Sequence, residues 1–275
     1  MTRCLLAAVI SLLCSLSVVS SPVGYVHASQ GNVAVRHVGK TSSEAIEMDD
    51  PLENGDVVST GQNSWVILSM QDGASLTLRA QTQLRIEAYR YHPQQPEEGR
   101  SWLSLLTGSL RSVTGAIGQR HPASYQLKTP QLTIGIRGTD YEVMAITDDS
   151  ADAELEAGTY AGVHDGEIEL QQDGDVLTVG PEQEAFASST RPGLLMAHDG
   201  RLRERLARLD RHMDLGERLS QLHNRRGQGF GLDLDRQPRL EQMRQARREA
   251  RQQQRQQRVK DARDFHPREG KGRRR

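Results

Sequence analysis

The sequence predicts an all-β domain followed by an α-helical, partly disordered C-terminal tail. From Val23 to about Ala187, short apolar runs of period two are separated by Gly, Asp, Asn and Pro. Turn signals recur about every 8–12 residues, a spacing typical of β-sandwiches, barrels and irregular solenoids. After Ser189 the apolar residues instead follow helical spacings of three and four.

The first 20 residues resemble a secretory signal peptide. Arg3 supplies a positive charge, residues 5–19 are apolar, and Val18-Val19-Ser20 places small residues before Ser21. The apolar stretch is short for a membrane span, although an uncleaved anchor is the alternative. We therefore expect cleavage near Ser21 and a periplasmic or secreted mature protein.

Both cysteines of the chain, Cys4 and Cys14, lie inside this predicted signal peptide. The mature protein would then have no cysteine. Neither a disulfide framework nor thiolate chemistry is expected.

Two Asp-Gly dipeptides predict β-hairpins. Asp72-Gly73 and Asp173-Gly174 each separate two apolar runs, and tight hairpin turns need the positive φ that glycine adopts freely. The strands predicted along this region are Val33–Val35, Trp65–Leu68, Leu76–Leu78, Leu84–Ile86, Leu132–Ile134, Tyr141–Val143 and Ile168–Leu170.

The helical spacing predicts an amphipathic helix over residues 191–226. Residues 227–275 form an Arg/Gln-rich basic tail, in which a second helix from Arg239 to about Arg263 either stays solvated or orders on a partner. Because the strand pattern stops before Ser188, we expect the β domain to span residues 21–190 and to fold without residues 191–275.

Charge is divided unequally between the two parts. Residues 1–190 carry 11 Lys/Arg and 24 Asp/Glu, a net charge of −13, and residues 191–275 carry 24 and 12, a net charge of +12. Such a tail either stays solvated or binds an anionic lipid or lipopolysaccharide surface. Nucleic acid is not an expected partner, because no aromatic residues interleave the basic run. The arginines expected to bind such a surface are Arg244, Arg247, Arg248, Arg251, Arg255, Arg258, Arg273, Arg274 and Arg275.

The strongest motif is Thr129-Pro130 followed by the run Gly135–Val143. It predicts a strand, a sharp corner flanked by Gly135 and Gly138, and a second strand. In this corner Thr139 would satisfy a freed backbone amide, and Arg137 would pair with Asp140 or donate to turn carbonyls. Contact of Arg137 with a partner is the alternative role.

This motif resembles the signature of FecR-type domains, and the resemblance extends over residues 23–187. It implies an all-β fold, either a short twisted solenoid or a two-layer sheet. FecR-like regulators usually combine a cytoplasmic anti-sigma segment, one membrane span and a periplasmic sensing domain. Other segments fit the pattern in order, with Glu167 departing from the expected small residue: Leu52–Gly61, Asp72–Leu78, Thr82–Leu84, Leu105–Arg111, Asp165–Ile168 and Val179–Gly180.

Since the chain starts with a signal peptide in place of those first two parts, we expect an exported sensing or docking module with an envelope protein partner. A scaffold that self-associates through its C-terminal helices is the second hypothesis. An envelope hydrolase using paired carboxylates is the third.

No catalytic residue, cofactor or metal site is predicted. Among the histidines of the β region, His37, His92, His121 and His164 are scattered without metal-ligand spacing. The sequence also lacks a Gly-x-Ser-x-Gly elbow and the complete phosphate-binding motif Gly-x-x-x-x-Gly-Lys-Ser/Thr. The acidic loop 148–152 is expected to be solvated, with calcium binding as the alternative.

Overall fold

The structure, a computed structural model, describes residues 21–149, 155–190, 194–197, 200–213, 215 and 253. The predicted signal peptide therefore lies outside the described residues, as does nearly all of the predicted basic tail. None of the helices in the described part is long and apolar enough to cross a membrane.

The predicted all-β class is confirmed, because the strands of the described chain join in one 15-stranded sheet. Two helices accompany it, α1 (Ala116–Arg120) and α2 (Arg201–His212), with 3-10 turns at Pro96–Glu98 and Pro122–Ser124. The strands are β1 (Gly24–Gln30), β2 (Val33–Arg36), β3 (Glu44–Ala45), β4 (Pro51–Leu52), β5 (Val57–Thr60), β6 (Trp65–Met70), β7 (Ser75–Leu78), β8 (Gln83–Arg90), β9 (Arg100–Val113), β10 (Tyr125–Lys128), β11 (Thr133–Ile146), β12 (Gly158–Gln172), β13 (Asp175–Val179), β14 (Glu184–Ala187) and β15 (Leu194–Ala197).

Both Asp-Gly hairpins form as predicted. Asp72-Gly73 joins the antiparallel pair β6 and β7, and Asp173-Gly174 joins β12 and β13. Gly73 has φ 87° and Gly174 has φ 97°, the region that glycine adopts without a steric penalty. These two turns set the register of their strands.

Three long strands, β9, β11 and β12, hold the sheet together by changing partners along their length. The first half of β9 pairs with β8 and in parallel with β10, whereas its second half pairs with β7 and β11. β12 likewise pairs with β14 at one end and β13 at the other. One hydrophobic cluster takes residues from nearly every strand, so the sheet is folded around a common core.

Helix α2 is part of this folded domain. Leu202 and Leu206 are each 1% exposed and pack with Met144 and Ile146 of β11. At the N-terminus of the helix, the carboxylate of Glu184 accepts hydrogen bonds from the backbone N–H groups of Leu202 and Arg203. The helix is thus fixed to the sheet at its start and along its apolar face.

The segment that follows α2 covers a second apolar cluster. Met213 and Leu215 pack with Trp65 and Ile67 of β6, and the Trp65 indole N–H donates to the Met213 carbonyl over 3.2 Å. Residues after 190 therefore contribute to the apolar clusters of the domain, and the expectation that residues 21–190 fold without them stays a prediction. The spacing of apolar residues in this segment predicts a helix with one apolar face, but it does not show which surface of the sheet that face covers.

Candidate functional site

The Gly135–Val143 motif forms a bulge inside one strand, where a corner between two strands was predicted. β11 runs unbroken from Thr133 to Ile146, and its register against β12 shifts between Arg137 and Asp140. Gly138 has φ 62°, in the left-handed region that favours glycine. The bulge adds a residue to β11 without ending the strand.

A second glycine makes room for the bulge from the neighbouring strand. Gly166 of β12 has φ 82°, and a Cβ placed there would lie 2.6 Å from the Gly138 carbonyl oxygen. Thr139 completes the structure, because its hydroxyl accepts the Arg137 N–H and donates to the Glu167 carbonyl over 2.8 Å. The Thr139 hydroxyl thus satisfies a backbone amide, that of Arg137, as the sequence predicted.

The predicted Arg137–Asp140 pair is wrong. Arg137 is largely exposed and donates to Glu169 of β12 over 2.6 Å. Asp140 is fully buried and accepts two hydrogen bonds from Arg111 of β9, each of 3.0 Å. Arg137 thus pairs across to β12, two residues from its register partner Glu167, whereas Asp140 pairs across to β9, two residues from its register partner Val113.

A groove of about 770 Å³ opens beside the first half of this motif. Its position follows from strand order, since β10 lies between β9 and β11, and β12 lies beyond β11. Of the predicted site residues, Gly135 and Arg137 line the groove, whereas Thr139 and Asp140 are buried in the sheet. The lining residues are Trp102, Pro122, Ala123, Tyr125, Gln126, Thr133, Ile134, Gly135, Ile136, Arg137, Glu169 and Gln171.

Trp102 is the exposed aromatic residue of the groove. Its side chain is 39% exposed, and the Arg100 guanidinium lies 4.4 Å from the ring centroid. A cation at this distance is attracted to the face of an indole. The other tryptophan, Trp65, is buried in the fold.

A buried ionic cluster lies under α2, away from the groove. Arg79, in the connection between β7 and β8, is fully buried. Its guanidinium donates to Glu142 of β11 and, over 2.6 and 2.9 Å, to Asp210 of α2. His164 of β12 lies 3.0 Å from the second oxygen of Glu142. Sequence analysis missed this cluster, because its members are far apart in the chain and match no motif.

The cluster changes the ionisation of Glu142. Burial by itself would raise the pKa of this carboxyl, but the charge of Arg79, followed by His164 and Arg111, holds that pKa well below its usual range. Glu142 is therefore ionised and neutralised inside the domain. This arrangement joins β11, the β7–β8 connection and α2, so Glu142 has a structural role.

Asp72, in the first predicted hairpin, is a second buried carboxylate with a structural environment. It accepts hydrogen bonds from the backbone N–H groups of Ala74 and Ile117, and from the Tyr89 hydroxyl. Burial raises the pKa of Asp72, although these hydrogen bonds act in the opposite direction. Its side chain fastens the β6–β7 turn to α1.

No group of three or more His, Cys, Asp or Glu residues that could hold a metal ion occurs within the described ranges. Residues 150–152 of the acidic loop lie outside those ranges. The same is true of all nine arginines predicted to bind an anionic surface, so that prediction stays open.

The chain has distant structural neighbours among known proteins. No curated protein matches the chain. Two crystal structures of a candidate anti-sigma factor from Parabacteroides distasonis ATCC 8503, at 1.65 and 2.50 Å resolution, are similar, each with 15% identity and a TM-score of 0.40. Each match covers 51% of this chain and 58% of the solved chain.

A family model described as "FecR protein" matches residues 56–169. This range is narrower than the predicted resemblance over residues 23–187, but it contains the bulge motif and most of the groove. Helix α2 and the basic tail follow it. Residues 56–169 are therefore similar to the FecR family.

Proposed function

We propose that this chain is an exported, non-catalytic sensing module that recognises an envelope ligand or partner through the groove beside the FecR motif. The observation that carries the proposal is the position of the groove. Its wall includes Gly135 and Arg137, which belong to the motif that identifies the domain. The match to the FecR family supports a role in signalling. A groove can contribute to signalling by binding the ligand or partner that is sensed.

The groove has the properties of a recognition surface. Its volume of about 770 Å³ falls within the range of about 300–1,000 Å³ usual for ligand sites. It combines the exposed Trp102 with polar side chains at its rim, and the core residues Ile134 and Ile136 lie beneath it. Aromatic and polar groups arranged in this way supply both binding energy and orientation.

The buried carboxylates favour binding over catalysis. Glu142 is held by Arg79 and His164, and Asp72 is held by backbone donors and Tyr89. Neither residue lines the groove. Their hydrogen-bonding capacity is used to join strands and helices, which is the structural role described above.

Site-specific photo-crosslinking tests the recognition role. A photoreactive residue at Gln126, inside the groove, should give a defined adduct in cells, whereas one at the exposed Gln62 on the β5–β6 turn should not. Trp102→Ala in the same protein should remove the adduct. Equal labelling at both positions, or labelling indifferent to Trp102→Ala, would reject the groove as the recognition surface.

Export is tested separately by the N-terminus of the stable protein. The proposal expects a mature chain starting near Ser21, recovered outside the cytoplasm. Mass spectrometry of an intact Met1 on the stable product would contradict it.

A further inference from the structure

We propose that the groove binds a neutral oligosaccharide chain. This inference rests on the proposed recognition function and specifies the ligand class for the same site. It follows from three features of the groove, namely the arrangement of side chains on its face, their net charge and its length.

The first feature is a row of polar side chains on one face of the sheet, beginning at an exposed indole. Gln126 of β10 is the register partner of Trp102 on β9, and Gln171 of β12 is the partner of Thr133 on β11. All four residues line the groove. The Arg100 guanidinium lies over one face of this indole, so the apolar C–H face of a sugar ring would pack on the part of the ring that remains exposed. Amide and hydroxyl groups would donate to and accept from the ring hydroxyls.

The second feature is a lack of net charge. The groove has one cation and one anion, Arg137 and Glu169, and they pair with each other over 2.6 Å. The other polar groups are amides and hydroxyls. Apart from the Arg100 guanidinium beside Trp102, a strongly charged ligand would meet no uncompensated opposite charge, whereas a neutral polyhydroxyl ligand matches this lining.

The third feature is an elongated floor with a gap at its centre. The groove crosses β9, β10, β11 and β12, which at a spacing of about 4.8 Å between strands gives roughly 14 Å, longer than a single sugar ring. Gly135 lies on this floor opposite Glu169. A Cβ at Gly135 would meet nothing nearer than 3.9 Å, so the space above it is open to a ligand.

An apolar peptide fits this lining less well. It would cover Gln126, Gln171 and Thr133 without satisfying their hydrogen-bonding groups, and buried polar groups without partners are costly. A sugar chain offers hydroxyl groups along its whole length. Peptide binding is therefore an outcome of the test that would overturn the proposal.

The test is titration of the full chain with uncharged tetrasaccharides, followed by NMR of the tryptophan indole N–H groups. The probes are chitotetraose, cellotetraose and maltotetraose. The chain has two tryptophans, so the buried Trp65 is an internal control for Trp102. We expect at least one probe to shift the Trp102 resonance in a saturable manner at about 1 mM or below, while Trp65 stays unchanged.

Three variants, compared by isothermal titration calorimetry because Trp102→Ala removes the NMR reporter, locate the binding. Gly135→Val adds a side chain to the floor at a position whose φ is ordinary, and Trp102→Ala removes the indole; each should weaken binding by about tenfold or more. Gln62→Ala, an exposed glutamine outside the groove, should bind like the wild type. An unchanged denaturation midpoint for Gly135→Val would show that its loss of binding is steric.

Two results would overturn the inference. One is the absence of any Trp102 shift with all three tetrasaccharides; the other is binding that survives Gly135→Val. If the Gln126 photo-crosslink to a protein persists in either case, the recognition role stands and only the ligand class is wrong. If both fail, the groove is not the recognition surface.

Discussion

Glycines 135, 138 and 166 look alike in the sequence, but they have different reasons to be glycine. Gly138 needs its φ of 62°, although a Cβ there would have no neighbour within 4 Å. Gly166 needs both its φ of 82° and its small size. Gly135 has neither constraint, and its place on the groove floor is the remaining structural role.

Gly138→Val should therefore lower the free energy of unfolding by about 1–3 kcal/mol, because a β-branched residue is strained at positive φ. Gly135→Ala is the matched control and should change it by less than about 0.5 kcal/mol. Chemical denaturation of both variants measures the difference. Equal midpoints for the two variants would show that the bulge tolerates ordinary residues.

The ion pairs of Glu142 make stability depend on pH. Its pKa is lowered in the folded state, so it stabilises the fold above its ordinary value of 4.5, and this contribution is lost as pH falls below that value. Glu142→Gln should cost about 1–3 kcal/mol at pH 7, since Arg79 loses a charged partner. The difference between wild type and variant should shrink from about pH 4.5 downward.

Denaturation at pH 7 and pH 3 measures this difference. The raised pKa of Asp72 acts in the opposite direction, but it is present in both proteins and cancels. Glu167→Gln, an exposed carboxylate on β12, is the control and should show little effect at either pH. A cost for Glu142→Gln that is the same at both pH values would contradict the assignment.

At the scale of secondary structure elements, α2 extends the domain beyond its expected end. It contributes Leu202 and Leu206 to one cluster, and Asp210 to the ion cluster of Arg79. Removing the helix would leave that guanidinium with fewer partners and expose the β6 surface around Trp65. Breaking a buried charge pair in this way is strongly destabilising.

Two deletions separate α2 from the tail that follows it. Deletion of residues 216–275 retains Leu215 and should keep the wild-type denaturation midpoint. Deletion of residues 200–275 should lower that midpoint and shift the fluorescence of Trp65 toward the red, because its cover is lost. Identical midpoints for the two forms would show that α2 adds nothing to the fold.

Local features were predictable from the sequence, whereas pairings between distant elements were not. Asp72-Gly73 and Asp173-Gly174 act within a few residues, so the hairpins could be identified directly. The glycines of the FecR motif fit either a corner or a bulge, and only the pairing of β11 with β12 decides between them. The groove depends in addition on the parallel placement of β10 beside β9, which no local pattern encodes.

At the scale of the whole molecule, negative charge is concentrated in the first 190 residues and positive charge in the residues that follow. The described domain lies almost entirely in the part with net charge −13, and the tail in the part with +12. At about 0.15 M salt the screening length is roughly 8 Å, so only close contacts of such a tail persist. An anionic surface is the partner that its arginines favour.

Full-length protein should bind anionic liposomes or lipopolysaccharide at low salt and be released at about 0.5 M salt. The form lacking residues 216–275, which keeps α2, should not bind. Co-sedimentation measures both. Equal binding by the two forms, or binding indifferent to salt, would reject the tail as the cause; binding by neither would favour a tail docked on its own acidic domain.

The distance along the chain between Arg79 and Asp210 also has a consequence for biogenesis. At about 5–20 residues per second, the 131 residues between them take roughly 7–26 s to synthesise. In a chain that folds while it is synthesised, the apolar surface around Trp65 would lack its cover of Met213 and Leu215 throughout that interval. Arg79 supplies a charge at the same place, and its hydration would oppose aggregation of the nascent chain until α2 arrives and the guanidinium becomes a buried partner of Asp210.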